Sequence, residues 1–360
     1  MIEFLLIIIL IFLLIWTFFK RNHHPKSACI VVLGDIGRSP RMSYHCISLL
    51  KLGYSVTLIG YKESKLMNQL NDDNVKIFDL TPYPKWLQLG TGMAQYGLKT
   101  IFLSFTLAIR LVQMRVVPKF ILVQNPPSIP TLIVVYLYCR LFGCKFLIDW
   151  HNYGHTILAL KKGKQNFLVK ICKKIEIFFG QRSHLNFCVT KAMCRDLHTY
   201  GIKAKVFYDK PHESFRRADT FQKQFLIEKL IKQKMIPQIN ENCAFLVSSS
   251  SWTEDEDFQI LIDALRIYEK FADSKLAKIV LFLTGKGPLK HFYERKFRQE
   301  NFSSIQVNFV WLDPGDYPIL LGSCDLGICL HMSSSDLDLP MKVVDMFGAQ
   351  LPVCAYSFSW

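Results

Sequence analysis

The feature that most constrains this chain is a repeated alternation. Short apolar runs of strand length are each followed by a helix-length run, and the series starts again after a charged interval past the middle. Such alternation builds parallel sheets, because parallel neighbours need a crossover long enough to hold a helix. The first series comprises Cys29 to Leu33, Ser55 to Ile59, Val75 to Leu80, Phe120 to Val123, Lys145 to Ile148, Leu185 to Val189 and Val206 to Tyr208. The second comprises Phe245 to Ser248, Ile279 to Leu283, Ile305 to Val310, Leu326 to Leu330 and Leu351 to Ala355. The class is therefore α/β, with Rossmann-like units over 28–212 and 243–360 and a connector with one helix over 213–242. Ligands of such folds meet the loops at the carboxyl ends of strands, so two tandem units predict a cleft between those loops.

From Phe4 to Phe19 only Thr17 is not strongly apolar, and Lys20, Arg21 and Lys26 follow. A span needs about 20 apolar residues, and flanking cations stay on the cytosolic side. Residues 1–20 are thus expected to be a transmembrane anchor, with the rest of the chain cytosolic. Glu3 before the run and bulky Trp16, Phe18 and Phe19 at its end disfavour a cleaved signal peptide. A second apolar stretch, Met93 to Val117, carries Phe102, Phe105, Leu107 and Leu111 beside Lys99, Arg110 and Arg115. It reads equally as an interfacial helix or a buried one. The net charge of +15 favours anionic partners. No basic run interleaved with aromatics tracks a nucleic-acid backbone, which disfavours that class. The 11 cysteines lie mostly in apolar runs without a C-x-x-C pair. They read as reduced core thiols rather than disulfides or a zinc site.

Several strand ends carry residues suited to chemistry. After the apolar run ending at Leu330, the loop Ser333 to Leu339 contains Ser334 and Asp338, and a short helix then brings Lys342 and Asp345 onto one face. A helix N-terminus with a lysine suits a diphosphate, and a carboxylate one turn on suits ribose hydroxyls. A solvated helix start explains the same residues equally well. Gly34 and Gly37 let backbone approach a phosphate or sugar, but the third glycine of the dinucleotide fingerprint is missing. Between them Asp35 is either a general base or a solvated turn residue. Asp149-Trp150-His151-Asn152 ends another strand, where His151 either moves a proton or is an ordinary core histidine. Gly285-Lys286-Gly287-Pro288 forms a turn fit for a phosphate or base, without the G-K-[ST] ending of a P-loop. Glu254, Asp255, Glu256 and Asp257 bracket a helix start and need only its dipole to explain them. No metal-ligand motif is present. No cofactor is required, and a divalent cation such as Mg is compatible with the site without being indicated by it.

Long segments also carry a family resemblance. Gly34-Asp35-Ile36-Gly37-Arg38-Ser39-Pro40-Arg41-Met42, Gln124-Asn125-Pro126-Pro127, Ile148-Asp149-Trp150-His151-Asn152-Tyr153-Gly154, Ser251-Trp252-Thr253-Glu254-Asp255-Glu256-Asp257-Phe258, Thr284-Gly285-Lys286-Gly287-Pro288-Leu289 and Leu337 to Gly348 resemble the chitobiosyldiphosphodolichol β-1,4-mannosyltransferases of dolichol-linked oligosaccharide assembly. The resemblance runs from about Cys29 to Val353. It implies a GT-B fold, two Rossmann-like domains facing across a cleft, with an N-terminal transmembrane helix. It also implies a single-pass endoplasmic reticulum protein with its catalytic part cytosolic. The donor would be GDP-mannose and the acceptor the dolichol diphosphate chitobiose lipid, with inversion at the anomeric carbon. Further partners would be the membrane and sibling mannosyltransferases of the pathway. On this reading Asp35 is the expected base, with His151 second. Lys342 meets the leaving diphosphate, Asp345 the ribose, and Ser250, Trp252, Gly285 and Gly287 line the donor pocket.

Two departures stand out. Asp336 replaces the family's glycine, where a left-handed backbone would be strained. The family also continues well beyond position 360, so the resemblance implies an incomplete second unit with Val343, Met346 and Phe347 partly uncovered. A weakly active chain serving as a membrane-bound scaffold, or a transferase for another nucleotide sugar, remain the competing readings.

Overall fold

An apolar strand flanked by helices on both sheet faces is buried on both sides, and the two series of strands follow that rule. The computed structural model describes residues 22–84, 87, 92–239, 243–271 and 276–357. It divides into two units, the first ending at Tyr208 and the second starting at Asp209.

Unit 1 holds β1 (Asn22–Asp35), β2 (Ser55–Tyr61), β3 (Val75–Asp79), β4 (Val116–Asn125), β5 (Lys145–Trp150), β6 (Leu185–Cys188) and β7 (Ala204–Val206). Its helices are α1 (Pro40–Lys51), α2 (Met93–Gln113), α3 (Thr131–Phe142), α4 (Gly154–Lys162), α5 (Phe167–Arg182) and α6 (Lys191–Thr199). The sheet is parallel in the order β3-β2-β1-β4-β5-β6-β7. Chain order reverses between β1 and β4, which places the ligand-accepting crevice of such a sheet at their carboxyl ends. Ala28, Cys29, Ile30 and Val31 are fully buried at its centre.

Unit 2 holds β8 (Cys243–Ser249), β9 (Lys278–Thr284), β10 (Ile305–Val310), β11 (Leu326–Cys329) and β12 (Val353–Ala355). Its helices are α7 (Thr220–Lys232), α8 (Gln259–Phe271), α9 (Lys290–Gln299), α10 (Asp316–Ser323) and α11 (Met341–Gly348). The parallel order is β10-β9-β8-β11-β12, with the reversal between β8 and β11. One face packs Leu226, Leu230, Phe245, Phe282, Leu320 and Met346; the other packs Trp252, Phe258, Leu261, Leu281 and Tyr293.

Several expectations change. The single-pass topology with an N-terminal transmembrane helix is not upheld: among the described residues no helix is long and apolar enough to cross a membrane. The run from Phe4 to Phe19, and with it the whole expected anchor 1–20, lies outside the described residues. The other long apolar stretch becomes α2, which stops at Gln113 because Val116 onward pairs as β4. Lys99 and Arg110, with Gln95, Thr100, Ser104 and Thr106, make α2 too polar to span. It buries Leu107 and Leu111 and exposes Leu98, Ile101 and Phe105 at helical spacing.

β1 begins at Asn22, well before Cys29, because Asn22, His23 and His24 pair with Val116, Val117 and Pro118. No apolar alternation announces that polar extension. The 213–242 stretch, expected as a connector with one helix, holds that helix and packs it into unit 2. It supplies α7, which drives Leu226 and Leu230 into the core of unit 2, with Ile236 beside them. Val343 and Met346 are buried rather than uncovered, while Phe347 is 63% exposed. No disulfide links any of the 11 cysteines, eight of which are buried.

Candidate active site

In unit 1 the chemistry gathers at the ends of β1, β4 and β5. Pro40 opens α1 in the position where its missing N–H costs nothing, and the next residue, Arg41, points into the unit. Arg41 donates Nε to Asp149 Oδ2 at 2.7 Å, Nη2 to Asp149 Oδ1 at 2.8 Å and Nη1 to the Phe207 carbonyl at 2.7 Å. Asp149 is fully buried, and its Oδ2 also accepts His45 Nε2 at 3.0 Å and His151 Nε2 at 3.2 Å. Burial alone would raise the Asp149 carboxyl pKa. The electrostatic pull of the neighbouring His151 and the hydrogen bonds from His151, His45 and Arg41 overcome that and hold it well below the usual carboxylate range. A carboxylate accepting at Nε2 fixes the tautomer that leaves His151 Nδ1 as a proton acceptor, and the ring remains about a quarter exposed.

Asp35 is differently placed. Its Oδ1 accepts the N–H groups of Gly37, Glu63 and Ser64, each at 3.2 Å, and Arg38 Nε lies 3.5 Å from Oδ2. Burial would raise its pKa, but the Ser64 hydroxyl and the N–H groups of Ser64, Gly37 and Glu63 bring it below the ordinary value. A carboxylate so stabilised in its charged form is a poor proton acceptor and a good loop organiser. Gly37 fits this, since a Cβ there would sit 2.9 Å from the Ser64 and Lys65 carbonyls; Gly34 is uncrowded. Asp35→Asn is therefore expected to keep turnover within a factor of about ten, where loss of a true base costs 10²–10⁴. It should lower stability by up to ~1–2 kcal/mol, because a neutral amide oxygen accepts the three loop N–H groups less strongly than a carboxylate does. Paired kinetics and melting curves check both; a collapse in turnover at unchanged stability would return Asp35 to the chemistry.

In unit 2 the loops after β8 and β11 meet. Glu256, which the dipole argument left without a function, is their centre. Its Oε2 accepts the Ser250 hydroxyl at 2.5 Å and the N–H groups of Ser251 at 2.8 Å and Trp252 at 3.1 Å. Its Oε1 takes the Lys342 ammonium. His331, directly after β11, donates Nδ1 to Asp255 Oδ2 at 2.8 Å and lies 3.8 Å from Asp338 Oδ2 through Nε2. Asp338 in turn accepts the Ser333 hydroxyl. The facing Asp338 carboxylate raises the His331 pKa; burial and the Lys342 charge oppose this, but Asp338 together with the Asp255 charge keeps the net shift upward.

The expected lining changes accordingly. The Trp252 ring is fully buried, stacked on Phe258 at 4.4 Å, so the backbone of Trp252 rather than its ring serves these loops. Trp252 adopts φ +50, a strained conformation for a bulky residue. A Cβ on Gly285 or Gly287 would lie 1.7 Å from the carbonyls of Ser250 and Ser251. These glycines are required for the close approach of two loops. Lys286 sits over the Trp311 ring at 4.0 Å, and that ring is half exposed. Asp336 has φ +57, the left-handed backbone that glycine takes freely and aspartate tolerates better than most. Ser334 lies in the same loop. Among the described residues no cluster of three metal-ligating side chains is placed to hold an ion.

Asp345 stands one turn beyond Lys342 on α11, and burial with the charge of Asp209 pushes its pKa up to about 7. The sign follows from linkage. Between the ordinary 3.8 and about 7 the folded unit holds a proton that the unfolded chain has lost. Stability therefore falls as pH rises through this window, and above it the ionised carboxylate costs up to ~4 kcal/mol. Asp345→Asn should stabilise unit 2 at pH 8, by an amount shrinking toward pH 4, while weakening donor binding if the carboxylate holds ribose. Denaturant midpoints across pH, with nucleotide titrations, check this; a pH-independent effect would contradict it.

The fold resembles that of the Anabaena HepE protein crystallised with UDP and glucose, with a TM-score of 0.60 at 15% identity over 92% of this chain and 80% of that one. It also resembles a UDP-forming α,α-trehalose-phosphate synthase from Burkholderia vietnamiensis, with a TM-score of 0.57 at 10% identity over 91% and 84%. These likenesses show the fold, a two-sheet GT-B-like architecture. No family model matches the chain. Sequence relatives go further. The human chitobiosyldiphosphodolichol beta-mannosyltransferase is 42% identical over 95% of this chain and 80% of its own length, and the mouse protein 40% identical over 98% and 79%. An Arabidopsis thaliana protein named UDP-glycosyltransferase TURAN is 38% identical over 92% and 82%. Fold, site and relatives together define a nucleotide-sugar-dependent glycosyltransferase. More particularly, the chain belongs to the chitobiosyldiphosphodolichol beta-mannosyltransferase family.

Proposed function

We propose that this chain transfers mannose from GDP-mannose to a dolichol-diphosphate-linked chitobiose, forming a β-1,4 bond with inversion. The observation that carries the reading is the 42% identity over 95% of the chain to an enzyme so named. The acceptor hydroxyl must lose a proton and the donor must lose a nucleoside diphosphate. His151, oriented by Asp149 through Nε2, is the base in unit 1. Lys342 in the first turn of α11 and the free N–H groups of that helix favour the departing diphosphate in unit 2. Asp345 takes ribose hydroxyls from the same helix. The exposed Leu98, Ile101 and Phe105 of α2 suit a membrane-borne acceptor.

The test is a donor panel with chitobiosyl diphosphodolichol as acceptor. Transfer from GDP-mannose far above UDP-glucose and UDP-N-acetylglucosamine supports the reading. Preference for a UDP-sugar would favour a different transferase on the same fold. Binding of GDP-mannose without transfer would favour a binding subunit.

A further inference from the structure

We propose that Glu256 is a positioning residue for the leaving-group cation: it holds the Lys342 ammonium over the Ser250–Trp252 backbone, so that the donor diphosphate meets an oriented lysine. The inference rests on the donor reading of unit 2 given above.

The geometry is specific. Glu256 is almost completely buried, whereas Lys342 is about a quarter exposed. The two oxygens of the carboxylate divide their work. Oε2 is committed to the Ser250 hydroxyl and to the N–H groups of Ser251 and Trp252. The Ser250 hydroxyl also accepts the Trp252 N–H at 2.8 Å, which closes the loop around the carboxylate. Oε1 is left for Lys342, whose ammonium also lies 3.5 Å from the Ser251 hydroxyl. A helix dipole does not explain this pattern, because the carboxylate faces its own preceding loop and a lysine 86 residues away.

A buried carboxylate left without its cation would be costly, so the ion pair fixes the lysine. An ammonium has three protons, and a carboxylate oxygen with a serine hydroxyl can direct two of them. The remaining donor capacity is exposed at the start of α11, where backbone N–H groups also favour an anion. Lys342 is thereby ordered before the donor arrives, which is the condition under which a cation stabilises developing charge without reorganising. Glu256 weakens the attraction of the lysine for any resting anion, and gains in return its aim at the oxygen that becomes charged.

The test is a cycle of Glu256→Gln, Lys342→Met and the double variant in the full chain, with GDP affinity, kcat at saturating GDP-mannose and melting temperature measured on each. Glutamine keeps an oxygen for the Ser250–Trp252 loop while removing the charge that holds the lysine. Lys342→Met should lower kcat by about 10²–10³. Glu256→Gln should lower kcat at least about tenfold while GDP affinity is unchanged or tighter and melting is little altered. The double variant should be no worse than Lys342→Met, because Glu256 acts through the lysine. Wild-type kcat in Glu256→Gln, parallel losses of kcat, GDP affinity and melting, or a multiplicative loss in the double variant would each overturn the proposal. Normal turnover in Lys342→Met would overturn the donor reading and this inference with it, an outcome distinct from failure at Glu256 alone.

Discussion

His151→Ala is expected to lower turnover by about 10²–10⁴ while leaving the fold and GDP affinity close to wild type, because it removes a proton acceptor and nothing that binds donor. The side chain is partly exposed and its one named bond goes to Asp149, so its loss opens no large cavity. Asp149→Asn makes the same point by another route. The imidazole stays, but the acceptor that fixes its tautomer is weakened, so turnover should fall with the ring in place. Single-turnover transfer at saturating GDP-mannose measures the chemical step directly. Near-normal transfer in His151→Ala, together with severe loss in Asp35→Asn, would move the base to Asp35.

Arg41→Met is the second large effect, and it falls on stability. Arg41 and Asp149 form a buried bidentate pair, and removing one partner of such a pair typically costs about 3–5 kcal/mol. Unit 1 would keep a fully buried carboxylate whose named donors among the described residues are His45 and His151. The Arg41→Met/Asp149→Asn double variant should recover part of that loss, since the stranded charge is gone. The pH dependence has a definite sign. The Asp149 carboxyl lies well below its ordinary value, so its contribution is complete above the ordinary range and is lost as pH falls through its folded value. Acid unfolding of the wild type should therefore be steeper than that of Asp149→Asn. Denaturant midpoints at pH 7 and in acid measure both; a loss under ~1 kcal/mol for Arg41→Met would show that the two imidazoles suffice.

Much of this molecule was legible in the residues alone. Most strands among the described residues lie where apolar runs of strand length stand between helix-length segments, because burial on both faces of a parallel sheet demands such runs; the polar start of β1 and the short β7 do not. The left-handed backbone at Asp336 followed from the glycine that the family carries there. Lys342 and Asp345 share a helix start because three residues make nearly one turn. What the sequence could not determine is which polar side chains meet. Arg41 reaches Asp149 across 108 positions, and Lys342 reaches Glu256 across 86, so neither pair has a local signature. The same limit holds for the surroundings of single side chains. Asp35 looked like a free carboxylate until the 63–64 loop closed on it. Trp252 looked like a pocket wall until its ring turned into the core. Glu256 looked like a dipole complement until Lys342 arrived beside it. Spacing along a strand or helix is set by the backbone period and can be read from order. The partner of a buried charge is set by which strands become neighbours, and only the tertiary structure decides that.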